Sequence, residues 1–262
     1  MEHLVLEDFY FIAELTALSI FAVVSISWIL EKSPLSTGFK SSGGIAVSFI
    51  TVPAFLFGLA ISTVASGTWN KHVSANANLV NENSSLRTLI SISSSLPPQD
   101  KEQLNAVINN YITAILDKEW PAMKINDASK YEVASPEFES LSKAAIKIAM
   151  APNQRVSTEN RLQSSIDNLR HERLLRINLA KTSIHLARWP SLYILSFLLL
   201  FTVGLLQLQS PRAMRISLTM GALCIGGSLL FIHLNASPYG GLDAVNPDPL
   251  SQTLKLINPT SK

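Results

Sequence analysis

Two ionisable side chains lie inside apolar stretches of this sequence, where a membrane would strongly affect their chemistry. Glu14 falls in the first turns of one apolar run, and His233 falls near the end of another. An ionisable group within a membrane segment is costly and marks a functional site, unless it reaches the water interface. The two residues are therefore either a candidate intramembrane site, as in a proton-coupled transporter, or a pair of interfacial side chains. The sequence shows no inverted repeat between its halves, which argues against the transporter.

Motifs for enzymatic chemistry are absent from the sequence. No GxSxG, HExxH or glycine-rich phosphate loop occurs, and the histidines show no ligand-like spacing. Cys224 is the only cysteine, so no intrachain disulfide can form. The net charge of +2 gives no reason to expect a basic face for nucleic acid. We expect no enzyme activity, no catalytic residue, no cofactor, no metal site and no nucleic-acid partner.

The composition indicates which elements must position these residues. Hydrophobic residues make up 47% of the chain and charged residues 15%, which is typical of an integral membrane protein. A helix needs about 20 residues to cross a hydrocarbon layer of about 30 Å. The clustered apolar runs predict an all-α membrane fold with spans at Phe9–Leu30, Ser41–Trp69, Trp189–Gln209 and Ile216–Leu234.

The second span has features that the others lack. It contains no charged residue, and it carries Pro53 and Gly58 near its middle. Proline has no backbone N–H, so this pair predicts a kink. The carbonyl that loses its partner cannot bond to lipid, so such a segment tends to face protein or a water-filled path. We therefore predict that the second span is the functional helix and that the other three support it.

The pattern of residues 70–187 predicts an extramembrane helical domain that is continuous with spans two and three. Apolar residues recur there at three- and four-residue spacing, and breakers separate helices that start near Pro98 and Ser135. A stripe on each helix indicates a bundle with its own core. The predicted organisation is spans one and two in 1–69, the helical domain in 70–187, spans three and four in 188–235, and an irregular tail in 236–262.

Basic residues leave the membrane orientation open, because they occur on both sides. The short loops between spans carry Lys32, Lys40, Arg212 and Arg215. The residues predicted to flank the membrane on the domain side are Lys71, Arg170, Arg173, Arg176, Lys181 and Arg188.

Several residues of the domain and the tail form a recognisable set. They are Glu82, Leu96-Pro97, Tyr111, Glu119-Trp120-Pro121 and Ser237-Pro238-Tyr239-Gly240-Gly241. This set resembles the signature of the bestrophin-like family of four-span membrane proteins, found in bacteria and plants. The resemblance covers about residues 40–250, and Glu-Trp-Pro is its most specific element.

The resemblance implies a pore. Bestrophins, the more distant relatives, are pentameric anion channels in which an apolar constriction of the second span recurs every fourth residue. Carried over, the constriction would be Thr51, Phe55 and Leu59, although bestrophins have Ile and Phe where this chain has Thr51 and Leu59. Residues four apart share one helix face, and apolar rings gate by dewetting. The alternative is that Phe55 and Leu59 pack against other spans.

Calcium gating is not expected from this sequence. Animal bestrophins carry a run of acidic residues in the segment that follows the last span. Here only Asp243 and Asp248 remain. Calcium takes six or more oxygen ligands, which two separated carboxylates do not supply.

The sequence therefore supports two functional hypotheses. The first is a homo-oligomeric, pentameric ion channel that conducts small anions such as chloride across the cell membrane, with the helical domain in the cytoplasm as in bestrophins. The second is a non-conducting membrane scaffold whose helical domain binds a partner. The partners expected under the first are further copies of the chain, the lipid bilayer and the permeant anions.

Overall fold

The computed structural model describes residues 2–34, 36–41, 47–151, 156–181, 188–241 and 243–257. Its helices in chain order are α1 (Glu2–Glu31), α2 (Ser36–Ser41), α3 (Thr51–Ser93), α4 (Pro98–Ala114), α5 (Trp120–Lys124), α6 (Ser135–Ala149), α7 (Val156–Lys181), α8 (Arg188–Leu206), α9 (Pro211–Leu234) and α10 (Asp248–Ile257). Short 3₁₀ turns cover Val47–Ile50 and Ala128–Lys130, and a π-helical turn covers Ile115–Glu119. These ranges contain no strand, and the all-α prediction is confirmed.

The chain divides into two compact units. The membrane unit comprises Met1–Trp69 and Ile184–Ala236, and the helical unit comprises Asn70–Ser183 and Ser237–Lys262. Helix α3 contributes its first part to the membrane unit and its remainder to the helical unit. The predicted run of α7 into the third span falls on residues 182–187, which lie outside the described residues.

Four helices among the described residues are long and apolar enough to cross a membrane. They cover Phe9–Glu31, Ser48–Ser93, Trp189–Leu206 and Pro211–Leu234. Only a minority of the residues in these stretches are buried within the chain, and many of the exposed side chains are large and apolar. Such a surface suits lipid or neighbouring protein rather than water. The protein is a membrane protein, as predicted.

In the membrane unit, α1 and α9 pack side by side in opposite directions. Arg215 at the start of α9 bonds to Glu31 at the end of α1, at 2.6 Å. At their other ends, the His233 ring stacks on Phe11 with ring centroids 3.7 Å apart. Helix α8 completes the core, and a Cβ at Gly204 would lie 2.7 Å from Leu30 Cδ1, so this glycine permits a close approach to α1.

In the helical unit, helices α3, α4, α6 and α7 enclose a core rich in leucine and isoleucine. Fully buried members include Leu86, Ile108, Leu141 and Leu169, one from each of these helices. Each helix places its apolar residues on one side at three- or four-residue spacing, which is why the sequence predicts a bundle.

The prediction of an irregular tail is wrong in part, because α10 covers Asp248–Ile257. The side chain of Asn246 accepts a hydrogen bond from the backbone N–H of Asp248 at 3.2 Å, just before the helix. Leu250 is buried, and Thr253 donates to Asn83 Oδ1 of α3 at 2.7 Å. The prolines around this segment lie before and within the first turn, where they do not interrupt a helix.

Candidate functional site

One face of α3 in the membrane unit is left uncovered by the other residues that the structure describes. Thr51 is exposed, Phe55 is 67% exposed and Leu59 is 55% exposed. The opposite face is buried, with Phe57 at 9% and Val64 at 6% exposure. A four-residue step advances the helix by only about 40° beyond one full turn, so the three predicted constriction residues lie along one stripe. No span among the described residues covers this stripe.

Pro53 lies in the first turn of α3 and is buried. The first turn is where a missing N–H removes no intrahelical bond, and the α-helix runs from Thr51 to Ser93 without a break. Gly58 is exposed, and a Cβ there would meet no atom within 4 Å. The kink predicted at these two residues stays a prediction.

The two ionisable residues of the spans lie on different helices. Glu14 is exposed on α1. His233 of α9 is half-buried in an aromatic group, stacked on Phe11 and 6.4 Å from the ring of Trp189. Aromatic residues of this kind are typical of the membrane–water interface. A role of Glu14 and His233 as an intramembrane site stays a prediction.

A second group of polar residues is fully enclosed in the helical unit, and we refer to Glu82, Glu119, Arg173 and Arg176 as the ionic cluster. Arg173 binds Glu119 with two parallel bonds of 2.7 and 2.9 Å. Arg176 bridges the two carboxylates, donating from Nε to Glu82 at 2.9 Å and from Nη2 to Glu119 at 2.9 Å. The Glu82, Glu119 and Arg176 side chains are 0% exposed and that of Arg173 is 5% exposed. Two negative and two positive charges balance in this core.

Neutral groups complete the bonding of the ionic cluster. The Tyr111 hydroxyl donates to Glu82 Oε1 at 2.8 Å, and the Ala134 N–H donates to Glu119 Oε1 at 2.9 Å. Arg173 also donates to the hydroxyl of Ser135 at 3.0 Å. A buried charge is tolerated only when it is paired and hydrogen-bonded, and every carboxylate oxygen of the cluster meets that condition.

The surroundings fix the protonation state of the cluster. Burial by itself would raise the pKa of Glu119, but the hydrogen bond from Arg173 and the nearby charges of Arg176 and Arg173 hold that pKa below its usual value. Burial, together with the negative charge of Glu82, raises the pKa of Tyr111. The nearby carboxylates raise the pKa of Arg176 despite its burial. At neutral pH the cluster therefore holds charged Glu119 and Arg176 beside a neutral tyrosine.

The Glu-Trp-Pro element builds one wall of this core. The backbone N–H of Trp120 donates to the carbonyl of Ile115, five residues back, so the helix widens into a π turn just before Pro121. Trp120 is buried and meets the ring of Tyr239 edge-on at 5.3 Å. A Cβ at Gly240 would lie 2.6 Å from the backbone oxygen of Lys124, so only glycine fits there. The signature residues of domain and tail thus converge on one packed core.

The sequence does not predict the ionic cluster. It counts Arg173 and Arg176 only among the basic residues on the domain side of the membrane, and the structure shows that both side chains are buried and paired with carboxylates. The signal lies in the spacing of α7, because Arg173 occupies a position of the apolar stripe between Leu169 and Ile177. An arginine at a core position requires a buried acidic partner.

Together, the fold and these two sites define a four-span, all-helical membrane protein with a folded extramembrane unit. The family model for the Bestrophin-like domain matches residues 17–250. The chain belongs to the bestrophin-like family.

Solved structures show the same fold. A bacterial Bestrophin homolog from Klebsiella pneumoniae aligns with a TM-score of 0.63 and 12% identity, over 95% of this chain and 96% of that one. A mutant form of the Klebsiella pneumoniae homolog aligns with a TM-score of 0.66 and 11% identity, over 95% and 96% of the two chains. A search of curated proteins finds no match to this sequence.

Proposed function

We propose that the protein is a homo-oligomeric ion channel, pentameric as bestrophins are, that conducts small anions such as chloride. The observation that carries the proposal is the uncovered face of α3, where Phe55 and Leu59 are exposed one turn apart within a membrane span. Membership in the bestrophin-like family supports a channel rather than an enzyme.

In this proposal the α3 helices of all copies surround an axial pore. Thr51, Phe55 and Leu59 then form successive rings, of which the last two are apolar. Water leaves a narrow apolar ring easily, so the rings gate conduction by wetting and dewetting. From Thr51 to Asn70 the helix has no charged residue. Selection of anions over cations therefore rests on backbone dipoles and on the low dehydration cost of large anions.

A reversal-potential measurement tests conduction and selectivity together. Purified protein is inserted in a planar bilayer under a KCl gradient. We expect reversal near the chloride potential, and reversal near the potassium potential would overturn anion selectivity. Silence over many well-inserted preparations would favour the non-conducting scaffold.

A matched pair of substitutions tests the pore assignment. Phe55→Ala should increase conductance or abolish closure, because it opens an apolar ring. The control is Phe21→Ala on α1, where the phenylalanine is 68% exposed on a different span. Equal effects of the two substitutions would contradict the assignment of α3 to the pore.

Subunit number and orientation have separate tests. Native mass spectrometry of the detergent-solubilised protein should give five copies, and a monomer or dimer would overturn the axial pore. We place the helical unit on the cytoplasmic side of the cell membrane. A cysteine introduced at Glu139, which is exposed, should then resist an impermeant thiol reagent in intact cells when Cys224 is replaced by serine.

A further inference from the structure

The stripe of α3 that carries Phe55 and Leu59 continues with two serines. At 100° per residue, Phe55, Leu59, Ser62 and Ser66 fall within about 60° of the helix circumference. Ser62 and Ser66 are both exposed in the membrane unit. Ser62 follows Leu59 by three residues, which is a rise of about 4.5 Å along the helix. A hydroxyl group therefore comes next to the apolar rings on the same face.

The hydroxyls of these serines differ from others on the same helix. Thr63 donates to the carbonyl of Leu59 at 2.8 Å, and Thr68 donates to that of Val64 at 3.1 Å. The hydroxyls of Ser62 and Ser66 make no hydrogen bond within the part of the chain that the structure describes. A polar group without a partner is costly against lipid but not in a wet path. Their O–H groups are available to a ligand.

The charges along α3 favour an anion as that ligand. No acidic residue lies between Thr51 and Val80, and the first charged residue of the helix is the cation Lys71, five positions after Ser66. An O–H group donates to an anion, and a carboxylate that would attract cations is missing from this stretch. The positive charge of Lys71 and the O–H donors of the two serines therefore both favour an anion.

We propose that Ser62 and Ser66 of each copy form an anion-binding site next to the apolar constriction, for a halide-sized anion that has lost part of its hydration. The site rests on the proposed function, because it requires α3 to face an aqueous pore. The hydroxyls replace water molecules that an anion sheds at the Phe55 and Leu59 rings. Removing them weakens anion binding without changing the constriction.

Conductance as a function of chloride concentration tests the site. The S62A/S66A double variant should need at least about tenfold more chloride for half-maximal conductance, because each lost serine hydroxyl removes a hydrogen bond to a charged ion. The matched control is the T63V/T68V double variant, whose hydroxyls already bond within the helix. An unchanged S62A/S66A curve, or an equal shift in the control, would overturn the proposal.

A chemical test separates failure of the site from failure of conduction. The Ser62→Cys and Ser66→Cys variants are made in a Cys224→Ser background and reconstituted in liposomes. They are treated with a negatively charged methanethiosulfonate, with and without thiocyanate, and labelling is measured as the mass shift of the protein. We expect labelling that thiocyanate slows several-fold, even in a protein that proves silent in bilayers. Ile194→Cys on α8, exposed but off this stripe, should stay unlabelled. Absent labelling, no protection by thiocyanate, or faster labelling by a cationic reagent would each overturn the site.

Discussion

Several hydroxyl groups of the membrane unit, including those of Thr68, Ser196 and Thr202, bond to carbonyls of their own helix, whereas buried carboxylates of the helical unit bond to groups from distant segments. Ser196 donates to Leu192 at 2.7 Å, one turn back. Glu82 instead accepts a hydrogen bond from Arg176, which lies 94 residues further along the chain. Lipid offers no polar partner, so a hydroxyl that faces lipid or packed protein is satisfied within its own helix, and only one that faces water can do without such a bond. A bundle in water can enclose charges when several helices meet. The two units should therefore respond differently to loss of a polar side chain.

The largest effect is expected from Arg176→Ala. The substitution leaves the carboxylates of Glu82 and Glu119 buried without their shared cation, which typically costs about 3–5 kcal/mol of folding stability. Hydrogen exchange of α7 peptides in the solubilised protein measures this loss. Arg161→Ala, on the exposed side of the same helix, should change exchange little. A small and equal effect of both substitutions would break the contrast between the units.

A smaller loss is expected from Gly240→Ala. The new methyl group would lie 2.6 Å from the backbone oxygen of Lys124, so the tail must move away from α5. Such overpacking costs about 1–3 kcal/mol. Exchange in the Trp120–Lys124 segment should rise. Gly38→Ala in α2, where a Cβ meets no atom within 4 Å, is the control. Unchanged exchange in the Gly240 variant would show that the tail is not a fixed part of the core.

The ionic cluster should also make the helical unit sensitive to acid. The pKa of Glu119 is lower in the folded protein than its ordinary value of 4.5. A lowered folded pKa gives stability that is fully present above the unfolded value and is lost as the pH falls through the folded pKa. Protection of α7 should therefore hold near neutral pH and decline below about pH 4.5.

A pair of glutamine variants assigns that pH dependence. Glu119→Gln should reduce the slope of stability against pH in the acid range. Glu139→Gln, whose carboxylate is exposed beside Lys143, should leave the slope as it is. If Glu119→Gln retained the full slope, other carboxylates would account for the acid sensitivity, Glu132 being one candidate since its pKa is lowered by Lys181.

The smallest effect is expected from Thr202→Val in α8. The Thr202 hydroxyl is buried and donates to the carbonyl of Leu198 at 2.8 Å. That carbonyl already accepts a backbone hydrogen bond of the helix, so the hydroxyl bond adds little. The isosteric change should alter thermal stability by less than about 1 kcal/mol. A loss as large as that of Arg176→Ala would show that the membrane unit also depends on its polar side chains.

The same contrast explains what the sequence predicts well. The four spans follow from the length and apolar character of each run, and the continuity of α3 beyond Trp69 follows from unbroken helical spacing. These are properties of neighbouring residues. The short helix α10 is missed because the composition around it suggests a coil, although Leu250, Leu254 and Ile257 repeat at helical spacing.

The ionic cluster depends on contacts that no local pattern contains. Glu82, Tyr111 and Glu119 are singled out only by family resemblance, which gives them no role. Which face of α7 meets Glu119 depends on the rotation of that helix in the bundle and on the π turn at Ile115–Glu119. A sequence pattern reports that Arg173 lies in an apolar stripe, and only the tertiary structure supplies its partner.

The docking of Tyr239 against Trp120 also bears on the order of events during synthesis. Tyr239 follows Trp120 by 119 residues, and spans three and four lie between them. A ribosome adding about 5–20 residues per second takes on the order of ten seconds to cover that distance. Throughout that interval Trp120 lacks the ring contact with Tyr239 that the folded chain makes. We expect that a chain in which one of these two spans fails to insert leaves Trp120 without this contact, because the tail would then lie on the opposite side of the membrane from Trp120.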